Sequence, residues 1–65
     1  MRDPKIDPQP GDVLRKKKLQ RRVTDLNGSF VHCRESGPKG YERFVLDYTD
    51  QWKRWAKNAE VIHES

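Results

Sequence analysis

The single cysteine, Cys33, is the feature that most restricts how this chain can fold. A domain of 65 residues buries only a modest share of its surface, and domains of this size are often reinforced by disulfides or a structural metal ion. One cysteine cannot form an internal disulfide, and the sequence has no repeated Cys/His pattern of the kind that binds structural zinc. The core must therefore come from apolar side chains or from a partner subunit.

Apolar side chains are scarce, since 32% of the residues are hydrophobic and 37% are charged. This composition leans towards disorder, but the two tryptophans, two tyrosines and two phenylalanines each bury a large area when they pack. Prolines 4, 8 and 10 favour extended backbone near the start. We therefore predict one folded domain over residues 11–63, an extended proline-containing arm over residues 1–10, and a short tail over residues 64–65.

Alternating side chains predict two short strands after the turn signal Pro10–Gly11. Val13 begins the first strand, and a tight connection near residues 16–18 leads into the second. The second strand places Leu19 and Val23 on one side, so Arg21 would point inward, which is unusual for a charged residue unless it lies near a strand end.

A hairpin at Asn27–Gly28, a pair typical of a type I′ turn with positive φ at both positions, is predicted to connect the second strand to the third. The third strand has Phe30 and His32 on one face, with Val31 and Cys33 on the other. The fourth strand covers residues 41–48, and its apolar pair, Phe44 and Leu46, shares one face.

A change to helical periodicity follows, with one apolar face formed by Trp52, Trp55, Ala56 and Ala59. The helix is predicted over residues 50–57 with Thr49 as its N-cap, and a last strand begins near Glu60. The fold is therefore mainly β with one short helix: a five-stranded SH3-like barrel with a helical turn before the last strand. The alternative is an open sheet with the helix packed on one face. Trp55, more than Trp52, is expected to be core, near Val13, Phe44 or Leu46 and the last strand at residues 61–62.

The two ends of the chain resemble a family of short uncharacterised proteins from bacteriophages and prophages. The resemblance rests on "DPQPGDVLRK" at residues 7–16 and "QWKRWAKNAEVI" at residues 51–62. It implies a bacterial or phage origin and a cytoplasmic setting in the bacterial host cell. It implies no established activity, and so it assigns no functional residue.

The run "LRKKKLQRR" at residues 14–22 has six cations and no acid, in a chain of net charge +4. Such a run predicts a ribbon that contacts nucleic-acid phosphates without sequence specificity. The candidate contacts are Arg15, Lys16, Lys17, Lys18, Arg21 and Arg22, extended by Lys39 and Arg43. The alternative interpretation is that these charges are solvated and only keep strand edges soluble.

No catalytic or metal-binding set stands out in the sequence. His32 and Cys33 are adjacent, so a strand sends them to opposite faces, and the carboxylates are scattered. No apolar run is long enough to span a membrane. We expect a non-enzyme without cofactor or metal that is a monomer or a weak dimer. Its partner is either nucleic acid, bound non-specifically, or an unidentified protein, bound through loops and exposed aromatic residues such as Tyr41 and Tyr48.

Overall fold

The computed structural model describes residues 2–65, which contain five strands, one α-helix and one 3₁₀ turn. The strands are β1 (Val13–Lys16), β2 (Leu19–Asn27), β3 (Phe30–Ser36), β4 (Glu42–Tyr48) and β5 (Glu60–His63). The helix α1 spans Thr49–Ala56, and the 3₁₀ turn spans Pro38–Gly40. A mainly β fold with five strands and one short helix before the last strand is thus confirmed.

The strands form one open antiparallel sheet in the order β4-β3-β2-β1-β5. Its two edges, β4 and β5, are not paired with each other, so closure into an SH3-like barrel is not confirmed. The helix α1 packs against β3 and β4 on one side of the sheet. We call that side the inner face and the opposite side the outer face.

Two connections between strands show how the local sequence sets the turns. Lys17 has φ 57° in the tight connection between β1 and β2, which lies where it was predicted. The β2–β3 hairpin turns at Gly28 and Ser29, because Asn27 pairs with Phe30. Of these turn residues only Gly28 has a positive φ, of 62°, so the predicted type I′ turn at Asn27–Gly28 is wrong.

The core lies between the inner face and α1, and it consists of Leu14, Val23, Val31, Cys33, Trp52, Ala56 and Ala59. Trp52 is completely buried, whereas Trp55 is half-buried at the margin. The preference for Trp55 as the main core tryptophan was therefore wrong. Phe44 and Leu46 are not its neighbours in a core either, since they lie on the outer face and are 78% and 56% exposed.

The start of α1 is fixed by Tyr48 and Gln51, because the Tyr48 backbone N–H donates to Gln51 Oε1 at 2.9 Å. Thr49 is the first helical residue, not the predicted N-cap. Its backbone N–H and its hydroxyl both donate to the carbonyl of Ser29, each at 2.9 Å. The helix start is thereby fastened to the β2–β3 hairpin.

The N-terminal segment folds against the domain in place of the expected extended arm. Trp52 Nε1 donates to the Pro4 carbonyl at 3.1 Å, and Arg2 forms two hydrogen bonds with Asp12 at 2.6 and 3.0 Å. The buried Asp12 carboxylate also accepts the backbone N–H groups of Gln9 and Ser65. Burial raises the pKa of Asp12, but these hydrogen bonds outweigh it, and its pKa lies below the ordinary value. Both chain ends are therefore attached to one buried carboxylate.

Candidate nucleic-acid interface

The basic run at residues 14–22 does not form one continuous ribbon. β1 pairs with β2, and alternate side chains of each strand point to opposite faces of the sheet. Arg15 and Arg22 lie on the outer face and are exposed. Lys16 lies on the inner side, where its Nζ is 5.9 Å from the centroid of the Trp55 ring. The six cations are thus divided between two faces and a turn.

Arg21 is buried on the inner face, as its position in the alternation suggested. Its Nε donates to Glu35 at 2.8 Å, and one terminal nitrogen donates to Asp47, also at 2.8 Å. Its guanidinium carbon lies 4.3 Å from the centroid of the Trp55 ring, a distance typical of cation–π stacking. This burial takes Arg21 out of the predicted phosphate-binding ribbon.

Glu35 is the centre of this buried charge cluster and is 1% exposed. Besides Arg21, it accepts hydrogen bonds from Arg43 Nε at 2.9 Å and from the Tyr41 hydroxyl at 3.1 Å. Burial raises the pKa of Glu35, but the hydrogen bonds from Arg21, Arg43 and Tyr41 outweigh it and lower that pKa. Arg43, also predicted to contact phosphate, therefore neutralises Glu35, and the same hydrogen bond raises the pKa of Arg43.

Three of the predicted lysines gather at one end of the sheet. Lys17 and Lys18 form the β1–β2 turn, and Lys39 lies in the 3₁₀ turn between β3 and β4. A Cβ on Gly37 would lie 3.0 Å from Leu19 and 3.6 Å from the carbonyl oxygen of Lys18, so the two connections are adjacent. All three lysines are exposed. Of the cations predicted to contact phosphate, these three lysines are the ones that lie close together.

The outer face carries a row of two arginines and one aromatic ring on neighbouring strands. Arg22 pairs with Arg34, and Arg34 pairs with Phe44. Phe44 is 78% exposed, and the Arg34 guanidinium carbon lies 5.4 Å from the centroid of its ring. Arg34 also forms an ion pair with Glu42, its diagonal neighbour on β4. Arg22 and Arg34, together with Gln20, Ser36 and Glu42, line a shallow depression on this face.

An aromatic pair lies four residues further along the same strands. Phe30 pairs with Tyr48, and their ring centroids are 4.7 Å apart. Tyr48 is 56% exposed, in agreement with its prediction as an exposed aromatic residue, and Tyr41 is 42% exposed. His32 and Leu46 pair between the two aromatic positions. The outer face therefore presents rings and cations together.

Sequence reasoning missed this surface because it treated Phe44 and Leu46 as core and gave Arg34 no role. The signal was present in the alternation, which already placed Phe44 and Leu46 on the face opposite Arg43 and Val45. It could be interpreted only with the strand register, since the register makes Arg34 and His32 their neighbours.

Cys33 and His32 point to opposite faces, as predicted. Cys33 is buried, and this burial raises the pKa of its thiol to about 12, so the thiolate form of a nucleophile is strongly disfavoured. Within residues 2–65 no group of three or more His, Cys, Asp or Glu side chains is arranged to hold a metal ion.

Among the described residues no helix has the length and apolar character needed to cross a membrane. Comparisons with models of protein families, with curated proteins and with solved structures found no match.

Proposed function

We propose that this protein is a non-catalytic binding protein that holds single-stranded nucleic acid on the outer face of its sheet. The observation that supports this most is the row Arg22–Arg34–Phe44, in which the Arg34 guanidinium lies over an exposed ring and Arg22 lies beside Arg34 on the next strand. Proteins that bind single strands combine cations that follow the phosphates with rings on which bases stack. The predicted ribbon contained no ring, and it included only Arg22 of this row.

The geometry favours a single strand over a duplex. An exposed sheet face can stack unpaired bases on its rings, whereas the bases of a duplex are already stacked on each other. Phe44 and the Phe30–Tyr48 pair lie four residues apart along β4, so they offer two stacking positions on one strand. The cluster Lys17, Lys18 and Lys39 adds positive potential at one end without adding a ring.

The resemblance to short phage and prophage proteins supports an accessory role in the cytoplasm of a bacterial host. Binding of this kind is salt-dependent and has little sequence preference, because phosphates and base faces are common to all sequences. Sequence-specific binding that resisted salt would contradict this proposal.

The experiment is a fluorescence anisotropy titration with labelled single-stranded DNA, single-stranded RNA and duplex DNA at several salt concentrations. Phe44→Ala should weaken single-strand binding by about 1–3 kcal/mol, or roughly 5- to 140-fold, because it removes a stacking ring. Its effect on folding should stay within about 0.5 kcal/mol, because exposed side chains contribute little to stability.

A matched pair of charge variants locates the phosphate contacts. Arg22→Gln/Arg34→Gln should flatten the log–log salt slope by about 1.4 units, at about 0.7 per phosphate on a single strand. Lys17→Gln/Lys18→Gln removes the same charge from the turn and should weaken binding much less. Equal losses in the two double variants, or an unchanged affinity in Phe44→Ala, would rule out the outer face as the binding surface.

The second candidate function is that of a protein-interaction module. It is favoured by the exposed apolar side chains of β4, since Phe44, Leu46 and Tyr48 are all more than half exposed. In that case Phe44→Ala and Leu46→Ala would abolish binding to a protein partner, and the protein would show no affinity for single strands at low salt.

A further inference from the structure

β4 is an open sheet edge with little of the usual protection. It is seven residues long, and within residues 2–65 no strand pairs with its far side. The other edge strand, β5, has only four residues, and the chain that follows it is held by Arg2 and Asp12. Edge strands are usually kept short, interrupted by proline or covered, because their open backbone groups pair with other strands. β4 shows none of these three features, and its inward-pointing charges, Arg43 and Asp47, are paired with Glu35 and Arg21.

The hydrogen bonds that flank β3 and β4 identify which backbone groups face the open edge. Thr49 N–H donates to the carbonyl of Ser29, and Gly37 N–H donates to the carbonyl of Tyr41. In an antiparallel ladder, hydrogen-bonded pairs alternate with non-bonded pairs, so residues 43, 45 and 47 use their backbone groups towards β3. The N–H and C=O groups of Phe44 and Leu46 therefore point to the open edge. The Tyr48 N–H is already taken by Gln51.

The sequence of β4, "ERFVLDY", is complementary to itself when it is read in the opposite direction about Val45. Antiparallel pairing of two copies about this residue places Phe44 beside Leu46 on the outer face. On the inner face it places Arg43 beside Asp47, two opposite charges. Only the Nε of Arg43 is hydrogen-bonded among the described residues, so its terminal nitrogens can reach a second carboxylate.

We infer that the partner of this edge is a second copy of the chain, paired antiparallel through β4 with the two-fold axis at Val45. The two sheets then join into one ten-stranded sheet whose outer faces are continuous. Phe44 and Leu46 of each copy exchange four backbone hydrogen bonds across the axis, which is the pattern that closes an antiparallel ladder. Such a contact is isologous, so it stops at a dimer.

Neighbouring registers fit less well, which makes the inference specific. A two-fold axis at Phe44 would pair Arg43 with Val45 and Glu42 with Leu46, leaving each charge beside an apolar side chain. An axis at Leu46 would keep apolar pairs on the outer face, but it would pair Val45 with Asp47 and extend Arg43 beyond the strand. Only the axis at Val45 pairs apolar with apolar and cation with anion.

Sedimentation equilibrium over a range of protein concentrations tests the dimer. The parent protein should approach twice its monomer mass as concentration rises. Leu46→Pro should stay monomeric with an unchanged circular dichroism spectrum, because the lost N–H faces the edge and not β3. Leu46→Ala is the matched control: it keeps that N–H and should still dimerise, more weakly. A parent protein that is monomeric at every concentration would overturn the inference.

Disulfide trapping tests the register with substitutions at exposed positions. Phe44→Cys and Leu46→Cys protein, mixed and mildly oxidised, should form a mixed disulfide, because these positions face each other across the axis. Either variant alone should cross-link poorly, since its two thiols lie on residues about 8 Å apart, beyond disulfide reach. Equal cross-linking in all three samples, or none in the mixture, would overturn the register. Both experiments omit nucleic acid, so their failure leaves the proposed function untouched.

Discussion

Replacing Glu35 with glutamine tests how far the buried charge cluster determines stability. The substitution keeps the size of the side chain but removes the negative charge that accepts hydrogen bonds from Arg21, Arg43 and Tyr41. Arg21, which is 7% exposed, then keeps only Asp47 as a charged partner. The matched control is Glu42→Gln, because Glu42 also pairs with an arginine but both side chains are about half exposed.

Loss of the buried ion pairs of Glu35 should lower the free energy of unfolding much more than loss of the exposed ion pair of Glu42. Removing one partner of a buried pair costs about 3–5 kcal/mol, because the other charge is left buried without compensation. Removing an exposed pair costs about 0–1 kcal/mol. A domain of 65 residues has a free energy of unfolding of roughly 3–10 kcal/mol, so Glu35→Gln should leave it marginal or unfolded at 25 °C.

Urea denaturation followed by tryptophan fluorescence measures both variants, first at pH 7 and then towards acid. The folded-state pKa of Glu35 lies below its ordinary value of 4.5, so the folded state binds fewer protons than the unfolded state. Its contribution to stability is therefore complete above pH 4.5 and is lost as the pH falls through the lower folded-state pKa. The free energy of unfolding of Glu35→Gln should therefore fall less steeply with decreasing pH than that of the parent. Glu42→Gln should show the same fall as the parent.

Two results would refute this reasoning about the charge cluster. One is a Glu35→Gln variant that loses no more stability at pH 7 than Glu42→Gln. The other is an acid-side slope that is the same in the parent and in Glu35→Gln, which would assign the acid sensitivity to another carboxylate, such as Asp12.

Two further predictions concern the core. Trp52→Ala should lower the free energy of unfolding by about 3–5 kcal/mol. Trp55→Ala should lower it by only about 1–2 kcal/mol, because Trp55 is half-buried and loses its packing and its stacking on Arg21. Equal urea midpoints for the two alanine variants would contradict the assignment of Trp52 as the central tryptophan. Because Cys33 is buried and its thiol pKa is about 12, a thiol reagent at pH 8 should modify it only as fast as the protein opens. Fast labelling of the native protein would contradict its place in the core.

Strand positions and the helix could be predicted from the sequence because their signals are local. Alternation with a period of two placed Phe30 and His32 opposite Val31 and Cys33, and a period of 3.6 identified the helix with its tryptophans. The inward direction of Arg21 was predicted in the same way. Its partner Glu35 was not, because the pairing of β2 with β3 joins residues 14 positions apart.

The orientation of β4 could not be predicted from hydrophobicity. Phe44 and Leu46 are larger apolar side chains than Val45, and burial alone would turn them inward. The same limit applies to the tryptophans, since one helical stripe contains both. Trp52 is central because the Pro4 carbonyl, 48 residues away, accepts its N–H. Each of these choices depends on contacts between distant parts of the chain.

The buried charges explain why β4 takes the less apolar orientation. If β4 turned over, Phe44 and Leu46 would enter the core, but Arg43 and Asp47 would leave it, and Glu35 and Arg21 would each lose a charged partner in a buried site. We therefore predict that apolar replacement of the cluster, Arg21→Met/Glu35→Leu/Asp47→Val, preserves stability or raises it by about 1–4 kcal/mol. The same variant should lose its single arrangement, because either face of β4 can then pack inward. In an NMR amide spectrum, residues of β3 and β4 should give more than one peak each. A single set of peaks with the parent pairing of Cys33 and Val45 would show that apolar packing alone selects the orientation, and that the charges contribute no specificity.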